Sequence, residues 1–462
     1  MKLRIERSGM LRVVAATAFI SMTLIVAGTP TRGESLIEAL KAAYQSNPSL
    51  QAQRARLRAT DEGVAQALSG WRPEVKLSGS GTKTKVRTNA GLGVSTRTPY
   101  SGTLSISQSI YEGGQTVAAT SQAESEVEAA RARLVSVEQD VLFDAVTAYM
   151  NVVRDESILE LNINNEQVLS RQLEAAQDRF SVGEVTRTDV AQAESRLAGA
   201  LADRRLGEGD LEVSRATYRQ IIGTMPGTLT RPELSKVPVA DGEQAASLAN
   251  EKNPDVLAAI HDAAAAQTNV RAVTGKLLPS VVVSANASRS RNQAVEDRTN
   301  TTVSVTAELT IPLYQTGSVS ARVREAKQFA GRARRLIDDA RRSAILDATS
   351  AWETLIAAEA RIVALDSQVR AALIALDGVS QEATVGSRTV LDVLDAEQEL
   401  LNAQVGLVSA QRDEVVAHFD LVAAVGGLTA RGLSLPVDPY DEKEYYTTIR
   451  NKWWGLDTGA AE

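Results

Sequence analysis

Cysteine is absent from the 462 residues, which excludes disulfides, thiolate metal sites and the lipid-bearing cysteine that tethers bacterial lipoproteins. Histidine is almost absent. His261 and His418 stand about 157 residues apart in helical patterns and read as ordinary helix-surface or interface residues. With no His pair at metal-ligand spacing and no glycine-rich phosphate loop, the chain is not read as an enzyme, and no cofactor or metal is expected. Aromatic residues make up only 4 % against 44 % hydrophobic, a balance that suits long, closely packed helices better than globular cores. Beyond the N-terminal region no run of 18 apolar residues occurs, so no helix is expected to span a bilayer.

The N-terminal region itself reads as a secretory signal peptide, residues 1–33. Lys2, Arg4, Arg7 and Arg12 precede the apolar run Val13 to Ala27, and Thr31-Arg32-Gly33 places small residues at the −3 and −1 positions of a cleavage site. An anchor is the weaker reading, because the run falls short of the ~20 residues a spanning helix needs. Removing a net +4 with this segment takes the formal charge from −7 to −11. An acidic exported protein is a poor match for nucleic acid, and none is expected as a partner.

What the chain does have is a repeat. "NPSLQAQRARLRA" from Asn47 is echoed by "NPDVLAAIHDAAA" from Asn253, and Pro73 by Pro279, at a shift of 206. Farther on the shift is 203: Tyr111 with Tyr314, Gly114 with Gly317, Tyr149 with Trp352, Gly183 with Gly386, Asp189 with Asp392, Gly223 with Gly426. The three-residue difference falls in the loops near 87–97 and 290–300, which are therefore expected to be equivalent and outward-facing.

Within each half, punctuation separates the elements. Neither Pro nor Gly occurs from Thr116 to Val182, 67 residues in which Val127, Leu134 and Val141 fall seven apart. This predicts one helix ~100 Å long. Its counterpart, 319–385, is interrupted only by Gly331 and Gly378. Two shorter helices, about 49–70 and 188–223, together approach the long one in length, so end to end they could lie antiparallel along it as a coiled-coil wall. Between them the pattern alternates. "TLSISQSIY" (103–111) and "VSVTAELTIPL" (303–313), with partners starting at Pro73 and Pro279, each carry one apolar and one polar face. Strands of this length fit a membrane barrel and fit equally a small soluble sandwich capping a helical rod. In a barrel, four strands could not close alone, and several chains would have to pool them.

The duplicated Asn-Pro helix starts, the two proline-led strand pairs, the Tyr-x-x-Gly entry to a long helix and the repeated VG…D-V…A-E turn together resemble the TolC family of outer membrane efflux and secretion channels, over about 35–430. The resemblance implies a mainly α fold with β: an internally duplicated, long α-helical coiled-coil barrel, plus four membrane strands per chain pooled by a homotrimer into a 12-stranded β-barrel. On that plan 34–72 holds the short helices of the first half, 73–113 its strand pair and 114–227 its long and return helices. Residues 228–246 form an equatorial linker, 247–278, 279–315 and 316–427 repeat the series, and 428–462 is a tail around the waist with 224–246. The missing lipid-bearing cysteine resembles the non-lipidated members, including those of type I secretion. The implied role is a passive exit duct in the outer membrane of a Gram-negative bacterium with a long periplasmic extension. Its implied partners are a periplasmic adaptor and an inner-membrane transporter of RND or ABC type. A pore-less periplasmic adaptor or structural coiled-coil protein is the alternative.

The echoed turns carry the candidate site. Gly183 and Gly386 suit the left-handed end of a helix, and Thr186-x-x-Asp189 and Thr389-x-x-Asp392 read as capping boxes. Asp395 lies one turn beyond Asp392, on the same helix face, where the first half has Gln192. The resemblance implies that Asp392 and Asp395 form acid rings narrowing the periplasmic entrance. It also implies that Arg388 latches neighbouring helices, its partners expected at Asp189 or Thr188 across the interface, with an exposed arginine on a turn as the alternative; Ala383 replaces a tyrosine of the family's latch. Val182-Gly183 and Val385-Gly386 are the implied adaptor-docking turns. Lys83, Lys85, Arg87, Arg289, Arg291 and Arg298 lie near the outer loops, as solvated residues or as contacts to anionic outer-membrane lipid.

Overall fold

The computed structural model describes residues 34–87, 94–234, 237, 239–293 and 296–458; the expected signal peptide lies outside them. Two copies of one pattern follow each other. The first is α1 (Leu36–Ser46), α2 (Pro48–Leu68), β1 (Glu74–Gly81), β2 (Thr84–Arg87), β3 (Val94–Arg97), β4 (Tyr100–Glu112), α3 (Gln115–Ser181) and α4 (Arg187–Ile222). The second is α5 (Gly242–Lys252), α6 (Pro254–Gly275), β5 (Ser280–Arg291), β6 (Thr299–Thr310), α7 (Ser318–Thr384) and α8 (Val390–Ala424), with a short α9 (Glu444–Ile449) in the tail. α5 begins inside the stretch expected as linker, since Asp241 caps it by accepting the Gln244 amide (2.7 Å).

The long helices α3 and α7 are 67 residues each. Val127, Leu134 and Val141 are buried, as their spacing predicts. α7 runs unbroken through Gly331 and Gly378, where an added Cβ would meet nothing. Along α3, the return helix α4 covers one part and α2 another. The Asn-Pro motif explains how these two stack. Asn47 caps α2 by accepting the Ser49 amide (2.9 Å) while Pro48 occupies the first turn, where its missing N–H costs nothing. Its side-chain amide then donates to the Ile221 carbonyl at the end of α4 (3.0 Å). Asn253 does the same in the second half, capping α6 and donating to the Ala424 carbonyl of α8 (3.4 Å). Each asparagine thus joins two half-length helices end to end. Gly426 seals the second joint: at φ +80° it lies so close to the Lys252 carbonyl that a Cβ would sit 2.6 Å from that oxygen.

The main core lies at these joints. Leu40, Leu50, Leu142, Tyr149, Tyr218, Ile222 and Leu428 are all buried there. Tyr149 accepts the Thr230 amide (3.0 Å) and donates to the Glu34 carbonyl (2.7 Å), and Tyr218 donates to the Glu34 carboxylate (2.7 Å). Trp352, the repeat partner of Tyr149, packs in a matching cluster beneath α5. Of the two expected placements, helix surface or interface, His418 takes the second: it is buried where α8 packs, edge-on to Phe419, and burial pushes its imidazole below the usual range.

The tail goes beyond the expected waist position. Ala430 donates to Glu138 (2.7 Å) and Tyr440 to the Tyr44 hydroxyl (2.9 Å) near the joint. It then climbs along α2 and α3, where Tyr445 donates to Glu62 (2.7 Å) and Arg450 pairs with Glu124 (2.9 Å).

The strands form an antiparallel four-stranded sheet in the order β1-β4-β5-β6, and β2 pairs with β3 in a separate hairpin beyond it. Register aligns Val75, Ile106, Ala285 and Val305 in one row and Leu77, Leu104, Ala287 and Val303 in the next; between them lie Lys76, Ser105, Asn286 and Ser304. Side chains alternate across a sheet, so the apolar rows share one face and the polar rows the other. The apolar face is bare: Leu77 is 82 % exposed, Val303 75 % and Val305 74 %. A soluble sandwich would bury that face. Among the described residues, the outer edges of β1 and β6 are unpaired.

Candidate functional site

At the end of the helices farthest from the sheet, the two echoed turns have the same geometry. Gly183 and Gly386 both sit at φ +81°. Gly183 donates to the Phe180 carbonyl (3.0 Å) and Glu184 to that of Arg179 (2.9 Å); Gly386 donates to Ala383 (3.2 Å) and Ser387 to Glu382 (3.0 Å). This is the Schellman pattern, in which a left-handed residue satisfies the last carbonyls of the helix. Val182 and Val385 precede the glycines and are exposed.

Each turn then starts the next helix with a reciprocal cap. Thr186 and Asp189 exchange bonds, the Asp189 carboxylate accepting the Thr186 amide (2.8 Å) and the Thr186 hydroxyl accepting the Asp189 amide (3.3 Å). Thr389 and Asp392 repeat the exchange (2.9 and 3.3 Å). The amide and hydroxyl of Thr389, with the nearby Arg388, hold the Asp392 carboxyl below the usual range. Asp392 is therefore charged at neutral pH and committed to starting α8.

Asp395 has no part in the cap. It is exposed and ion-paired with Arg196 of α4. Arg388, exposed in its turn, pairs with Glu382 (2.9 Å), the residue whose carbonyl closes the Schellman turn. Within one chain its ion pair is with Glu382; Thr188, expected with Asp189 as its partner across an interface between copies, is exposed. Ala383 lines a shallow pocket between α3 and α7 with Ala175, Ala176, Ser380 and Thr384. Above the turns Leu169, Ala200 and Leu394 bury one another, so α3, α4 and α8 converge just behind the acids.

Sequence reasoning missed Arg196, Glu382 and Glu397. A signal for Arg196 exists: it lies four residues past Gln192, the equivalent of Asp395, or ~6 Å along a parallel helix of equal height. That is within reach of an arginine. Glu397 accepts from Gln172 (3.4 Å), its other carboxylate oxygen is buried without a partner, and burial raises its pKa. Among the described residues no group of three or more His, Asp or Glu could hold a metal, and no helix is long and apolar enough to cross a membrane.

A family described as "Outer membrane efflux protein" matches residues 39–224 and again 245–427. The second match starts 206 residues after the first and ends 203 after it, the two shifts of the internal repeat. The chain is 37 % identical to the outer membrane efflux protein BepC of Brucella suis, over 96 % of this chain and 97 % of that one. It is 26 % identical to the outer membrane protein TolC of Vibrio cholerae, over 89 % and 95 %. Among solved structures, the outer membrane channel CmeC of Campylobacter jejuni superposes with a TM-score of 0.78 at 16 % identity, covering 90 % of this chain and 89 % of that one.

Proposed function

The chain belongs to the outer membrane efflux protein family, and from that premise we propose a homotrimeric exit duct gated where its helices turn. The protein is an outer membrane channel component for efflux and secretion, with a long periplasmic helical tunnel. The observation that carries the finer reading is the bare apolar sheet face bounded by two unpaired edges. In hydrocarbon every backbone group needs a partner, so β6 of one copy must pair with β1 of the next until the sheet closes. Three copies close it with twelve strands. The same logic supports closure of the helical wall, for α7 leaves Phe329, Leu346, Val363 and Ile374 exposed. A pore-less adaptor has no use for an apolar sheet face.

Around a threefold axis, Asp392 and Asp395 supply two rings of carboxylates at the periplasmic mouth, and like charges so gathered draw in cations. Arg388 with Glu382, and Arg196 with Asp395, hold the turns in place; Asp189 and Thr188 of a neighbouring copy remain the proposed seat for Arg388 once the gate closes. Val182, Gly183, Val385 and Gly386 present small apolar notches to the helical tips of a periplasmic adaptor. Behind that adaptor stands an inner-membrane transporter of RND or ABC type. At the opposite end, Arg289 and Arg291 fall on the apolar face beyond its last apolar row, suited to anionic outer-membrane lipid.

Single-channel recording in planar bilayers tests this. The wild type is expected to conduct and to be blocked by multivalent cations from the periplasmic side, and Asp392→Asn with Asp395→Asn to conduct without block. Block that survives both substitutions would remove the acids from the gate.

A further inference from the structure

The tail ends beside the sheet. Arg72, two residues before β1, donates to the Lys452 carbonyl (2.6 Å), and its guanidinium lies 5.2 Å from the centre of the Trp453 ring. The Trp71 carbonyl accepts from Gln108 (2.9 Å), whose register partner Val283 belongs to the apolar face at its helix-side end. Three of the chain's four tryptophans, Trp71, Trp453 and Trp454, are thereby gathered at the rim where the apolar face meets the helices. They are left uncovered: Trp453 is 69 % exposed and Trp454 90 %, and Leu456 beyond them is fully exposed.

This end is held in place. Tyr446 stacks against Arg131 (5.2 Å) and packs on Val64 and Val127, Arg450 pairs with Glu124, and Lys452 closes the last loop by bonding Asp457 (2.6 Å to its carbonyl). The tail thus delivers two indoles to the helix-side end of the sheet, where Tyr111 at the end of β4 and Tyr314 after β6 are exposed as well. An indole has an apolar body and one N–H donor, and it partitions to the boundary between hydrocarbon and headgroups. Eight residue steps separate Arg289 from Val281 on the apolar face, ~20 Å along the membrane normal for a strand tilted by ~40°. Those steps account for most of a ~25 Å apolar band, and the tryptophans sit at its lower limit.

Resting on the membrane-barrel reading above, we propose that the C-terminal tail is a lipid anchor. Trp453, Trp454 and Leu456, with Trp71, seat in the headgroup layer of the periplasmic leaflet, and their partner is phospholipid. A chain without cysteine has no thioether lipid; the tail supplies attachment through side chains and fixes the height of the barrel.

The test is tryptophan fluorescence of the full-length protein carrying Trp71→Phe and Trp352→Phe, which leaves Trp453 and Trp454 as the only reporters. It is reconstituted in vesicles of phosphatidylethanolamine and phosphatidylglycerol with dibrominated or ordinary acyl chains. The expected result is loss of at least half the emission in the brominated vesicles, and in the wild-type background Trp453→Ser with Trp454→Ser removes the corresponding part of the quenching. Emission quenched by aqueous acrylamide and not by bromine would overturn the proposal, as would emission shielded from both, which would put the indoles against a neighbouring copy. Flotation separates the two levels. Protein that floats with vesicles but is not quenched loses only the anchor; protein that does not float at all loses the barrel reading and the anchor with it.

Discussion

Asp395 of α8 and Arg196 of α4 form an ion pair that ties the two halves of the duplicated chain together one turn above the helix turns. Both partners are exposed, so the pair contributes no more than ~1 kcal/mol to stability. Its larger effect is on charge at the proposed mouth. Arg196→Gln leaves Asp395 uncompensated, and the concentration of multivalent cation giving half block is expected to fall several-fold while thermal stability barely changes. Single-channel titration reads this directly, and an unchanged block would place Asp395 outside the conducting path.

Asp392 combines two roles that one substitution cannot separate, since it starts α8 and also carries charge. Thr389→Ala removes the cap and keeps the carboxylate. The lost cap costs ~1 kcal/mol at the helix start, so the turn loosens and the open fraction rises, with the affinity for blocking cations preserved. Asp392→Asn is expected to alter both. The carboxyl lies below its usual range in the folded chain, so its capping contribution is present at neutral pH and lost as pH falls through that lowered value.

The two faces of the sheet give opposite expectations for adjacent residues. Leu77→Arg puts a charge on the apolar face, costing ~2–4 kcal/mol near mid-membrane, and should prevent stable trimers in outer-membrane fractions. Ser78→Arg points the same charge to the polar face and should assemble normally with a changed ion selectivity. Equal tolerance of both would mean that the faces are assigned wrongly.

Asp61 of α2 is buried with neither carboxylate oxygen bonded, and burial pushes its pKa up to about 6 despite the neighbouring Arg131. Facing it are Glu62 on its own helix, Glu128 and Arg131 on α3, and Tyr440, Glu442 and Tyr445 of the tail. A carboxyl whose pKa is raised in the folded chain binds its proton more tightly there, so the packing around Asp61, the tail included, is favoured at low pH and weakens as pH rises from ~4 through about 6. Trypsin cleavage at Arg450 and Lys452 should accelerate between pH 5 and 7 by more than the protease's own pH profile accounts for. Asp61→Asn should remove that excess.

Much of the architecture could be read in the sequence, because it is written in local chemistry. The unbroken stretch before Val182, the glycines at 183 and 386 and the Thr-x-x-Asp pairs each act within a few residues, and the structure has each where the spacing puts it. The alternation of β4 and β6 left open whether their apolar face was buried; only the register across four strands, with Leu77, Val303 and Val305 on that face exposed, decided that. Charge partners were harder to read. Arg388 turns to Glu382 because the Schellman turn folds the helix end back on itself, and Arg196 meets Asp395, 199 residues on in the chain, because α4 and α8 converge. The tail's climb along α2 depends on single contacts such as Tyr445 with Glu62, for which no periodic pattern exists.

The asparagine joints turn the return helices into levers. α3 passes the waist as one rod, whereas α4 ends at Ile221–Ile222, where Asn47 grips it, and α8 ends likewise at Asn253. From fulcrum to tip α4 is 36 residues, an arm of ~54 Å at 1.5 Å per residue. A swing of ~10° at the joint then carries the tip ~9 Å sideways with little change in the hydrogen bonds inside either helix. In the proposed trimer, a small adjustment of packing at the waist would be enough to change the bore at the far end.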